Sequence, residues 1–141
     1  MTNVWEKYYS EDAKNFNLAN MPSQTLTALA DRALKEFADR PALTTILPNG
    51  ASGTVTYRQL VAYADQFAAH LREVVKLKAG DTVAVMTPNC IGFGIATLGI
   101  LKAGCISTNV NPLYTAPELE HQLTDSKAQV LVIIDLFGDK V

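Results

Sequence analysis

Three short β-prone runs separated by helix-length stretches constrain this chain more than anything else in it. They are TVAVM at Thr82–Met86, ISTNV at 106–110 and QVLVII at 129–134. The first is continuously apolar or β-branched, which suits a strand buried on both faces, and the third reads the same way. The stretch 90–102 between the first two is apolar on nearly every face, and 116–125 carries a helical pattern. Strand, helix, strand, helix, strand with short connections implies parallel strands joined by right-handed crossovers.

The punctuation supports that order. Gly80 and Asp81 form a turn before the first strand, and Thr87, Pro88 and Asn89 end it, with Asn89 placed to cap the next helix. Gly104 closes that helix as a left-handed residue would. Thr115 and Glu118 have the spacing of a capping box, in which each side chain satisfies a free amide at a helix start.

Upstream, apolar residues at Leu26, Leu29, Ala30, Ala33, Leu34 and Phe37 predict an amphipathic helix over 24–38, with one face for a sheet. Segments 42–47 and 54–56, around Pro48, Asn49 and Gly50, predict a hairpin. Thr56 and Gln59 give a second capping box, followed by the stripe Leu60, Val61, Ala64, Phe67, Ala68, Leu71 and Val75. Residues 1–21 form a leader with Trp5, Tyr8, Tyr9 and Phe16. Docking of these rings on the body of a larger parent is the first reading, because aromatic side chains bury large apolar areas. A subunit or membrane-surface contact is the second. The resulting expectation is an α/β fold, a mixed, mainly parallel sheet flanked by helices, with a leader arm at 1–21 and the folded body at 22–141. The last residues, LFGDKV, stand where another crossover helix would begin, so the body looks cut.

Composition excludes several function classes. At 141 residues, 48% hydrophobic and 18% charged, the chain suits one soluble globular domain. Acidic residues (14) outnumber basic ones (12) for a net charge of -2, so no basic field collects nucleic-acid phosphates. The longest apolar stretch, 90–101, falls short of the roughly 20 residues that span a bilayer. No secretory signal opens the chain, which points to the cytoplasm. Cys90 and Cys105 lack metal or redox spacing. Free thiols are the simplest account, and a disulfide between them is the alternative.

No constellation in the chain carries chemistry by itself. Gly92, Gly94 and Gly99 fall inside a helix, and Ile100 and Leu101 stand where a phosphate loop needs Lys and Ser or Thr. Close packing of the helix on the sheet explains the glycines. His70 and His121 have no second ligand at metal spacing and read as solvated. Glu118 and Glu120 point about 200° apart on a helix, so they are no carboxylate pair. Asn109, Asn111, Pro112 and Tyr114 follow a strand's carboxyl end, where open α/β sheets place ligands, although turn formation explains them as well.

Several phrases resemble adenylate-forming acyl-CoA synthetases, most closely bacterial long-chain fatty-acid CoA ligases. TVTYRQLVAYADQFAAHL at 54–71 is similar to that family's first block, and KAGDTVAVMTPNC at 78–90 to its Gly-Asp strand followed by Pro-Asn. GILKAGCISTNVNPLYTAPELEHQLTDSKAQVLV resembles its second block, with VNPLYTAPELEHQL the most specific part. VWEKYY near the start is similar to the leader of bacterial members.

The resemblance implies the N-terminal subdomain of a two-step ligase. A fatty-acid carboxylate attacks the α-phosphate of ATP with Mg²⁺ present, and coenzyme A then displaces AMP. The Ser/Thr/Gly loop with its lysine, and the later acids and lysine that the family uses, have no counterpart here. No catalytic, cofactor-binding or metal-binding residue is therefore assigned, and the chain alone is expected to be inactive. Implied partners are fatty acid, ATP, coenzyme A and the remainder of the adenylation domain, with self-association and peripheral contact at the inner membrane as further expectations. Two alternatives stay open: a standalone α/β binding module, and a fragment of a ligase for other carboxylic acids.

Overall fold

The structure, a computed structural model, describes residues 3–135 and 138. Two 3-10 turns, Glu6–Tyr8 and Leu18–Asn20, and one short helix, α1 (Glu11–Lys14), make up the leader. Its rings are largely exposed among the described residues. Trp5 is 57% exposed, Tyr8 77%, Tyr9 47% and Phe16 63%.

Helix α2 (Leu26–Phe37) starts inside the expected boundary because Thr25, in extended conformation, accepts from the Ala28 amide at 3.1 Å and caps the first turn. Strands β1 (Pro41–Ile46) and β2 (Ser52–Thr56) form the expected antiparallel hairpin, turned at Gly50 with φ 83°. Helix α3 (Tyr57–Ala69) opens on the expected capping box, in which Thr56 Oγ1 accepts from the Gln59 amide at 3.2 Å and Gln59 Oε1 accepts from the Thr56 amide at 2.9 Å.

The stripe on α3 buries Val61, Ala64, Ala68 and Leu71, but Val75 is 38% exposed. A π-helical turn over His70–Val74 explains the difference, since its wider i to i+5 bonding rotates the residues that follow off the helical stripe.

The remaining elements are β3 (Thr82–Met86), α4 (Ile91–Lys102), β4 (Ile106–Asn109), α5 (Ala116–Ser126) and β5 (Ala128–Ile133). The three strands pair in parallel in the order β4-β3-β5, while the hairpin forms a separate two-stranded sheet. The α/β class with mainly parallel pairing holds. Alternation along β3 divides the core: Val83 and Val85 face Leu71, Ala96 and Ile100, whereas Ala84 and Met86 face Val110 and Leu119. Unlike β3, β5 is only partly buried, because it flanks the sheet on one side. The helix expected at the end of the chain falls on residues 136, 137 and 139–141, which lie outside the described residues.

Helix α4 departs from expectation at both its start and its glycines. Its N-cap is Cys90, which makes no side-chain cap bond, and Asn89 does not cap it. The Ile91 amide instead donates to Thr45 Oγ1 of the hairpin at 2.9 Å. Gly99 meets helix α3 and Gly94 meets Leu43 of β1, so the close packing is against a helix and the hairpin, not the parallel sheet. At its C-terminus, Lys102 sits 14% exposed between Asp31 of α2 and Asp65 of α3, 3.0 Å from each. Burial of this ammonium pulls its pKa down, but the hydrogen bonds and charges of Asp65 and Asp31 outweigh it and the net shift is upward. The three helices are thereby tied at one point.

Candidate functional site

Strands β4 and β5 lie on opposite sides of β3, so the crossover from β3 to β4 runs one way and the step from β4 to β5 runs back past it. In open α/β sheets the reversal makes a crevice at the strands' carboxyl ends, here between β3 and β5. Thr87, Pro88 and Asn89 follow β3 at that edge. Thr87 Oγ1 is buried and has no hydrogen-bond partner among the described residues. Sequence reading treated Thr87 only as a strand terminator, and no local pattern marks it otherwise.

The four residues singled out after β4 lie on the other side of β3 and serve the turn. Asn111 Oδ1 accepts from the Leu113 amide at 3.0 Å, and the Asn111 carbonyl accepts from the Tyr114 amide at 3.1 Å. This is the side-chain turn that asparagine favours. The Asn109 carbonyl accepts from Gln122 Nε2 of α5 at 2.7 Å, and Tyr114 packs on the cluster of Met86, Val110 and Leu119. Pro112 completes the same turn.

Beside this turn, Tyr114, Pro117, Glu118, His121, Gln122 and Asp125 surround an open depression of about 440 Å³. Glu118 is occupied by its cap: Oε2 accepts from the Thr115 amide and from Thr115 Oγ1, both at 2.8 Å. Those two bonds hold its carboxyl below the ordinary value of 4.5. A lowered folded-state pKa means that the stabilisation is present above the unfolded value and lost as pH falls through the folded one. Stability measured from about pH 6 down to about pH 3 should therefore fall less steeply in Glu118→Gln than in the parent chain; equal slopes would mean that the cap is not formed.

His70 and His121 are both exposed, and no group of three metal-binding side chains occurs among the described residues. Both cysteines are free thiols. Burial, followed by the charge of Asp81, pushes the Cys105 thiol up against the weaker opposing effect of Arg72, so it is a poor nucleophile.

A more apolar concavity lies elsewhere among the described residues. A groove of about 530 Å³ runs between α2 and α4, lined among others by Leu26, Leu29, Ala33, Phe37, Phe93 and Leu101. Leu26 is 63% and Leu29 45% exposed, so the stripe on α2 packs only partly against α3 and α4. Helix α4 is apolar all round, the pattern of a helix covered on every side. No helix among the described residues is long and apolar enough to cross a membrane.

Comparison with known proteins adds a family to this geometry. Residues 30–140 match the AMP-binding enzyme family. The long-chain-fatty-acid–CoA ligase of Haemophilus influenzae (strain Rd) is 39% identical over 138 residues, covering 98% of this chain and 24% of that protein. The solved anthranilate CoA ligase AuaEII, in complex with anthranoyl-AMP, superposes with a TM-score of 0.78 at 25% identity, over 89% of this chain and 23% of that one. The N-terminal subdomain of Klebsiella oxytoca NpsA gives 0.69 at 26% identity, over 79% of this chain and 28% of the other. The chain thus spans about a quarter of the length of the relatives it matches.

Proposed function

The chain belongs to the AMP-binding enzyme family, and from that premise we propose that residues 22–141 form the N-terminal part of the adenylation domain of a long-chain fatty-acid CoA ligase, with residues 1–21 as an arm. The observation that carries this reading is the extended similarity to such ligases along nearly the whole chain. In the parent, a fatty-acid carboxylate attacks the α-phosphate of ATP, pyrophosphate leaves, and the thiol of coenzyme A displaces AMP. Adenylation is needed because a carboxylate oxygen is a poor leaving group. Metal-assisted and cationic stabilisation of the transferring phosphorus is the usual means of lowering that barrier.

In this reading the groups that hold ATP, Mg²⁺ and coenzyme A belong to the remainder of the adenylation domain. Gly94 and Gly99 face Leu43, Ala64 and Phe67 from within α4, so they offer no backbone cradle for phosphate. We assign the described residues no catalytic step. Their role in this reading is architectural: a packed parallel sheet, a carboxyl edge with Thr87 at its reversal, and an apolar face between α2 and α4 for the remainder of the adenylation domain. Acyl specificity is then set outside these residues, which suits a fold shared with a ligase for an aromatic acid. We place the parent in the cytoplasm, with the exposed leader rings available to a membrane surface.

Acid-dependent exchange between ATP and pyrophosphate tests the proposal. The 141-residue chain should show none above background, and the product of the full reading frame should show it with long-chain fatty acids. Exchange by the purified chain would overturn the architectural role. A full-frame product active only on short or aromatic acids would overturn the substrate assignment.

The same reading predicts how the isolated chain behaves in solution. Its open apolar face should drive concentration-dependent self-association in sedimentation experiments, because patches of this kind seek a partner. The double variant Leu26→Glu, Leu29→Glu should shift the population towards monomer. A parent chain that stays monomeric at every concentration would contradict the assignment of this face.

A further inference from the structure

We draw no further inference here: the strongest candidate, the apolar groove between α2 and α4 with Arg32 and Glu36 among its lining residues, belongs to the packing face already assigned to the remainder of the adenylation domain, and nothing in the structure shows what else covers it.

Discussion

Replacing Gly99 with leucine should lower the unfolding free energy by about 3 kcal/mol, the upper end of the usual cost of overpacking. A Cβ at this position would stand 2.9 Å from the Ala64 carbonyl oxygen, 2.9 Å from Phe67 Cδ1 and 3.1 Å from Phe67 Cβ. The phenyl ring can turn aside. The carbonyl cannot, because it belongs to the backbone of α3, so α3 and α4 must separate. Alanine at 99 should cost about 1 kcal/mol net, since the clash is partly offset by a helix-propensity gain of about 1 kcal/mol.

Gly92 provides the control. Its nearest neighbour would be Cys90 Sγ at 3.6 Å, an ordinary contact. Gly92→Ala should therefore be neutral or gain up to about 1 kcal/mol from propensity alone. Urea denaturation of the three variants checks both statements. Equal midpoints for Gly99→Leu and the parent chain would mean that α3 and α4 do not approach as described.

These two glycines also show how far the sequence could be read. Close approach was legible for Gly99, because glycine in a helix interior is otherwise a cost, whereas Gly92, read the same way, meets only an ordinary contact. What approaches Gly99 was not legible: its contact is with Ala64 of α3, 35 residues earlier in the chain, and no local pattern encodes it. The two capping boxes were legible to the residue because the amide and the side chain that satisfies it lie three positions apart. The cap of α4 was not, since Thr45 lies 46 residues from the Ile91 amide that it satisfies. Asn89 has the right chemistry at nearly the right place, and a tertiary partner supplies the bond instead.

The same division holds at the candidate site. The turn at Asn111 rests on bonds to residues two and three positions away, so asparagine chemistry announced it. The reversal between β3 and β5 depends on strand order, which hydrophobic periodicity does not specify, and Thr87 gains its position only from that order. Likewise, β5 reads as a buried strand from its composition, yet its place beside β3 leaves it half covered. The π-helical turn that takes Val75 off its stripe leaves no mark in an apolar pattern that continues without interruption.

Truncating Met86 to alanine should cost about 3 kcal/mol, within the range for deleting a large buried side chain. Met86 is 0% exposed at the carboxyl end of β3, and its cluster joins Val110, Leu119 and the partly buried Tyr114, Leu123 and Ile133. Ala84 shares this face but reaches less far than Met86, while Val83 and Val85 point to the opposite face. A loss of that size is a large share of the roughly 5–15 kcal/mol that holds a domain together. Met86→Leu keeps the volume and should cost less than about 1.5 kcal/mol. The effect should be local as well as global: in Met86→Ala the amide of Val110, which donates to the Val85 carbonyl at 2.9 Å, should lose hydrogen-exchange protection before the amides of α3 do. In the full-frame product, exchange between ATP and pyrophosphate should fall with it if this edge borders the substrate cleft. Unchanged stability in Met86→Ala would show that the carboxyl edge is not packed from beneath.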